Sequence, residues 1–294
     1  MLKIKVAKNA GFCFGVRRAI EIAEETLKYK SKVYTLGPII HNPQEVKRLE
    51  KQGIKTLKSV SRIKDGHVIL RTHGIPLDVH KKLNENRNIN IIDSTCPFVK
   101  RAQDVVKKLS SNKTTKDSSI VIVGEKVHPE VVALVSYGNK NCVVIETPKE
   151  ARTFKDNRDL SIVSQTTQTY ENFDNIVNIL SENHKTSVYN TICRATLNRQ
   201  QFAEKLACGV DLMLVIGGKN SGNTTRLAQI CSCKTRTYHI ETFRNLRENW
   251  FKNISTVGLT AGASTPDWII KDVEIKVNKI GNSLNKLRRV NARK

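Results

Sequence analysis

Acidic residues, aromatics and long apolar runs are scarce in this 294-residue chain, and each shortage removes a class of function. No apolar run approaches the roughly 20 residues that cross a bilayer. The opening stretch MLKIKVAKNAG lacks the apolar core of a secretory signal. A cytoplasmic protein with no membrane contact is expected. In that reducing setting the seven cysteines read as metal ligands, catalysts or core filler rather than as disulfides. Aromatics make up only 5% of the residues and do not interleave with basic ones, so no RNA-binding motif is visible and no nucleic-acid partner is expected. The Cys231 and Cys233 pair has no second close pair to complete a zinc site. GGKNSGNT is Gly-rich, but no Lys-Ser or Lys-Thr follows its last glycine, which excludes the nucleotide triphosphate loop.

The shortage of acids is large: 27 Asp and Glu stand against 50 Lys and Arg, a formal charge of +23. Such a field attracts polyanions. RNA, an anionic membrane, a phosphorylated small molecule and an acidic protein all satisfy it, so charge alone selects none. Most basic residues are spread as solvated surface, with concentrations at Lys47 to Lys64 and Lys286 to Lys294. The length allows roughly two or three domains.

Short Val- and Ile-rich runs alternate with helical patterns throughout. They are KIKVAK, KVYTLG, HVILRTHG, INIIDSTC, SSIVIVGE, NCVVIET, LSIVSQTT, SVYNTIC, DLMLVIGG and TVGLTAG, with one more strand-like run, DVEIKVNKI, near the end. Near-continuous apolar strands separated by helices predict parallel sheets covered on both faces. The polar stretch SSNKTTKDSS, at 110–119, reads as a loop.

A weak internal repeat emerges at the junctions. Three times a strand, a short loop, a cysteine and a helix follow one another: IKVAKNAGFC before Val16, Ala19, Ile20, Ala23 and Leu27; INIIDSTC before Val99, Ala102, Val105, Val106 and Leu109; SVYNTIC before Phe202 and Leu206. A thiol at a helix N-terminus lies near the positive end of the dipole, which favours the thiolate. Arg17, Arg18, Lys100, Arg101 and Arg194 add to that bias. Cys13, Cys96 and Cys193 therefore read either as buried structural cysteines or as three thiolates of an iron-sulfur cluster with one iron lacking a protein ligand. Cys142, Cys208, Cys231 and Cys233 read as structural or incidental.

Ligands of open α/β sheets bind at the carboxyl ends of strands. Those ends are polar here: GPIIHN with His41, RTHG with His73, EKVHPE with His128 and Glu130, SQTT with Thr166, GGKNSGNT with Ser221, Gly222 and Asn223, and TAGAST with Ser264. Glycine lets a ligand approach the backbone while Ser, Asn and Thr supply neutral donors, an inventory suited to a small diphosphate. Glu130 is the available proton carrier if it faces the same cavity as His128.

Together these junctions resemble the 4-hydroxy-3-methylbut-2-enyl diphosphate reductases. The matching segments are AGFCFGVRRAI, GPIIHNPQEV, RTHGIP, DSTCPFVKRAQ, HPEV, SQTTQT, TICRATLNRQ, GGKNSGNTTRLA and TAGASTPDW, in the family's order from residue 10 to about 268. The resemblance implies an α/β fold of three similar domains in a pseudo-threefold arrangement around a central iron-sulfur cavity. The domains fall at 14–96, at 97–192, and at 1–13 with 193–281, followed by a basic tail at 282–294. It implies one [4Fe-4S] cluster per chain on Cys13, Cys96 and Cys193, with the fourth iron open to the substrate hydroxyl. His41, His73, His128, Ser221, Gly222, Asn223 and Ser264 would hold the diphosphate, Thr166 the hydroxyl, and Glu130 would donate the proton.

The implied products are isopentenyl and dimethylallyl diphosphate, and the implied electron donor is an acidic ferredoxin or flavodoxin, for which part of the +23 is a docking face. Two departures stand out. Gly222 replaces a serine found in some members, and VALVSYG after HPEV lacks the early glycine of the family pattern, which bears on the loop after Glu130. The competing readings are a cluster-dependent hydro-lyase, which needs no net electrons, and a basic RNA-binding protein with structural cysteines.

Overall fold

Strands apolar at nearly every position have to be covered on both faces, and three of them lie at the centre of two of the sheets: Ser119–Val123 (β6), Leu160–Ser164 (β8) and Leu212–Ile216 (β10) are buried throughout. The computed structural model describes residues 2–111, 118–138 and 140–291. Two compact units divide the chain. The larger is Gly15–Ile40 with Val46–Arg194, and the smaller is Met1–Phe14, His41–Glu45 and Ala195–Lys294.

The larger unit holds two four-stranded parallel sheets. In the first, Val33–Leu36 (β2), Lys55–Leu57 (β3), Gly66–Leu70 (β4) and Ile89–Asp93 (β5) lie in the order β3-β2-β4-β5. In the second, β6, Cys142–Ile145 (β7), β8 and Thr186–Tyr189 (β9) lie in the order β7-β6-β8-β9. The third sheet, in the smaller unit, sets β10, Arg236–Ile240 (β11), Thr256–Ala261 (β12) and Lys3–Val6 (β1) in the order β11-β10-β12-β1.

One plan serves all three sheets. The first strand has the second on one side and the third on the other, and the fourth lies beyond the third. In the third sheet the fourth place is taken by β1, the earliest strand of the chain. The first strand connects to a neighbour on one side while the third strand's further neighbour lies on the other, which makes a switch point between first and third strands.

The helices are Phe14–Tyr29 (α1), Pro43–Lys51 (α2), Leu77–Glu85 (α3), Pro97–Ser111 (α4), Pro129–Tyr137 (α5), Pro148–Thr153 (α6), Tyr170–Ser181 (α7), Arg194–Ala207 (α8), Gly222–Ser232 (α9) and Asp267–Asn291 (α10). Four of them open on proline, whose fixed φ and missing N–H suit the first helical position. In the second sheet, α4 and α5 bury Ala102, Val106, Leu109, Val131 and Leu134 against Ile120, Ile122 and Val163. Each large aliphatic side chain so buried contributes roughly 1.5–3 kcal/mol.

Several expectations need correction. DVEIKVNKI is not a strand but part of α10. Its alternation of Val273, Ile275 and Val277 fits both periods, and the helical one wins because Ile269, Val273, Val277 and Ile280 form a single buried stripe against β10 and β12 while Ile275 is left 45% exposed. Residues 282–291 of the expected basic tail continue this helix, and 292–294 lie outside the described residues. The stretch after Glu130 is not a loop but the body of α5, which needs no early glycine. In α8 the buried face is Thr196, Arg199, Gln200, Ala203 and Ala207, with Phe202 and Leu206 only partly covered. Of the loop expected at 110–119, residues 112–117 lie outside the described residues. Two edge strands were not read from the sequence: β3 is three residues long and β11 is only partly apolar. No helix among the described residues is long and apolar enough to cross a membrane.

Candidate functional site

Each fourth strand leads through a short loop to a cysteine that immediately precedes a helix: β5 to Cys96 and α4, β9 to Cys193 and α8, β1 to Cys13 and α1. The same hydrogen bond fixes all three. Cys96 N–H donates to Thr72 O at 3.0 Å, Cys193 N–H to Thr166 O at 2.9 Å and Cys13 N–H to Ala263 O at 3.1 Å. Every acceptor lies two residues beyond the third strand of the same sheet. The loop carrying the thiol is therefore tied to the loop that leaves the switch point. All three thiols are partly exposed, and none of the seven cysteines forms a disulfide.

Glycines let the backbone close in around these thiols. A Cβ on Gly15 would collide with Cys96 Sγ and stand 3.0 Å from its Cβ, so the first turn of α1 packs against this cysteine only as glycine. Gly11 takes φ +99°, and a Cβ there would lie 2.7 Å from Asp267 Oδ1. Arg18 donates to Thr95 O at 3.2 Å and Asp93 O at 3.3 Å, bracing the DSTC loop. Burial alone would raise the Asp93 carboxyl, but hydrogen bonds from Lys100 and Thr95 outweigh it and hold the group below its ordinary range.

The remaining cysteines differ. Burial pushes the thiols of Cys142, in β7, and Cys231, in α9, up to about 12, so both stay protonated at neutral pH. Cys208 and Cys233 are exposed at helix ends.

The switch point of the second sheet carries titratable groups. His128 caps α5, and its Nδ1 accepts from Glu130 N–H at 3.1 Å, so the ring proton belongs on Nε2. Glu130, 1% exposed, receives Thr166 N–H at 2.6 Å on one oxygen and the Thr166 hydroxyl at 2.8 Å on the other. The end of β6 and the end of β8 thus share one buried carboxyl. His73, beyond β4 of the first sheet, meets the His128 ring edge-on with centroids 5.4 Å apart. Its loop is fixed by Thr72, whose N–H and hydroxyl both donate to Ile39 O, at 3.2 and 3.1 Å.

In the third sheet the same point carries neutral groups. Ser221 caps α9, accepting from Thr224 N–H at 3.4 Å, and Gly222 is the first residue of that helix. Asn223 is 6% exposed, yet neither its amide nitrogen nor its amide oxygen has a hydrogen-bond partner among the described residues. A buried amide left unpaired costs about 1–3 kcal/mol unless something else meets it. Ser264, beyond β12, donates to His41 O at 3.0 Å. The larger unit thus holds His73, His128, Glu130 and Thr166, and the smaller holds His41, Ser221, Gly222, Asn223 and Ser264.

Arg199 was not singled out from the sequence. It is 3% exposed on α8, and its guanidinium donates to Asn9 O, before Cys13, and to Ala261 O at 3.1 Å, before Ser264. The available signal was a charged residue among the small ones of that helix's inner face.

The LytB protein family profile matches residues 4–278. The 4-hydroxy-3-methylbut-2-enyl diphosphate reductase of Syntrophotalea carbinolica is 46% identical over 280 residues, covering 94% of this chain and 99% of that one. The same reductase of Geotalea uraniireducens is 44% identical, covering 97% and 100%. A solved structure of (E)-4-hydroxy-3-methyl-but-2-enyl diphosphate reductase, described as the terminal enzyme of the non-mevalonate pathway, is 44% identical with TM-score 0.67 over 95% of this chain and all of that one. The Plasmodium falciparum E-1-hydroxy-2-methyl-but-2-enyl-4-diphosphate reductase is 29% identical with TM-score 0.85, covering 94% and 87%.

Proposed function

The chain belongs to the LytB protein family, and from that premise we propose that it reduces (E)-4-hydroxy-3-methylbut-2-enyl diphosphate to isopentenyl and dimethylallyl diphosphate. The reading includes one [4Fe-4S] cluster per chain, held by Cys13, Cys96 and Cys193. The observation that supports it most is the recurrence of one junction: fourth strand, cysteine with its N–H bonded to the third-strand loop, then helix, three times. When bound, such a cluster supplies electrons and an iron without a protein ligand that acts as a Lewis acid.

The protein's own groups bind, orient and protonate. His128, whose Nδ1 accepts from Glu130 N–H, and the Asn223 amide, without a partner among the described residues, would bind the substrate. On this reading His41, His73, Ser221 and Ser264 would bind the diphosphate with them. The N-terminus of α9 adds backbone N–H groups and the positive end of its dipole, and Gly222 takes part through its N–H alone. Glu130 is the proton donor. Thr166 fixes both of its oxygens and would meet the substrate hydroxyl. The net change is two electrons and two protons in, with the hydroxyl leaving as water and the allylic carbon skeleton protonated at one end or the other. A cytoplasmic setting and an acidic electron carrier such as a ferredoxin or flavodoxin complete the proposal.

Anaerobically reconstituted protein should hold about four irons per chain and turn over the diphosphate only when a reductant such as reduced methyl viologen is present. Cys13→Ser, Cys96→Ser and Cys193→Ser should each lose most of the iron and the turnover, while Cys142→Ser keeps both. Equal iron in all four variants, or turnover that persists without reductant, overturns the reading.

A further inference from the structure

The larger unit has a groove of about 440 Å³ that the substrate reading does not use. One face of α4 forms its wall, with Arg101, Asp104 and Lys108 spaced three and four residues apart and Lys100 next to Arg101. Thr95 and Pro97, the residues on either side of Cys96, also line it. A molecule seated there lies against the backbone of a proposed cluster ligand.

The lining is basic. Four cationic side chains, Arg18, Lys100, Arg101 and Lys108, face two carboxylates, Asp93 and Asp104. Lys100 is committed to Asp93 at 2.6 Å, and Arg18 points its guanidinium at backbone carbonyls, which leave its charge unneutralised. Arg101 and Lys108 are exposed. Phe98, two residues past Cys96, is 40% exposed; it lies seven residues from Val105 and so on the same flank of the helix, giving the basic surface an apolar spot. Charged rims steer encounter while a small apolar centre holds the pair.

Reduction consumes two electrons per turnover, and no group of the chain supplies them in net, so a carrier has to bring them to a cluster ligand from outside. Resting on the reductase reading above, we propose that this groove docks a small acidic one-electron carrier protein. The carrier's carboxylates pair with Arg18, Arg101 and Lys108, and its apolar contact falls on Phe98. Each docking oxidises one reduced carrier by one electron, and two such events meet the demand of one turnover.

The test compares reduced flavodoxin, as an acidic protein probe, with reduced methyl viologen, a small cation that gains nothing from a basic groove. With Lys108→Glu, which reverses an exposed charge twelve residues past Cys96, kcat/KM for flavodoxin should fall by about fivefold at low salt. Flavodoxin affinity measured by calorimetry should weaken in step, while iron content and viologen-driven turnover stay at wild-type levels. Asp104→Lys should raise the flavodoxin kcat/KM several-fold. Unchanged flavodoxin kinetics in Lys108→Glu overturn the proposal, and so does a parallel loss with viologen, because Lys108 would then serve the cluster and not the carrier. Absence of viologen turnover in the wild type would instead remove the reductase reading.

Discussion

The second and third sheets have the same strand order, yet their switch points differ in chemistry: one carries Glu130, Thr166 and His128, the other Ser221, Asn223 and Ser264. The topology decides where a ligand can sit, because strand ends and helix N-termini converge there. Residue choice then decides what each point can do. A buried carboxyl fixed at both oxygens is equipped to move a proton. A buried neutral amide beside a helix N-terminus is equipped only to bind. On the proposed reading, one fold plan carries a reacting face and a holding face.

Glu130→Gln should break this division most severely. It keeps the shape but removes the proton, and kcat should fall by roughly 100-fold or more, with iron content and substrate KM little changed in steady-state assays with viologen. Near-normal turnover would move the proton donor elsewhere. Thr166→Val has a smaller expected effect. The N–H bond to Glu130 survives and the hydroxyl bond is lost, so kcat should drop by about tenfold, the size of one buried hydrogen bond. Asn223→Ala tests the proposed holding face: KM should rise by about tenfold through loss of one hydrogen bond to the charged diphosphate, with kcat nearly preserved. If Asn223→Ala acted on kcat and Thr166→Val on KM, the contrast between the two sheets would be reversed.

Much of this was legible from residue order. The fully buried strands β6, β8 and β10 were readable because burial on both faces demands unbroken apolar runs. The edge strands β3 and β11 were not, since an edge needs neither length nor apolar character. DVEIKVNKI deceived because a strand and a helix both accommodate Val273, Ile275 and Val277, and only packing against β10 and β12 chooses between them. The polar residues at strand ends were visible as a group, but not the pairing of Thr166 with Glu130 across 36 positions. Arg199 was invisible as a brace because its partners are backbone carbonyls, which every sequence contains.

By itself the sequence determined the alternation of strands and helices, the place of each cysteine at a strand-to-helix junction, and the excess of positive charge. These follow from local rules: side-chain period, helix-start chemistry and residue counts. The family resemblance placed the first segment with the last domain, but only the tertiary structure decided that β1 pairs with β12 as the fourth strand of that sheet, and that three cysteines far apart in sequence donate the same hydrogen bond to the same place in three sheets. Strand pairing joins residues that are remote along the chain, and no local pattern records which edge a strand will complete.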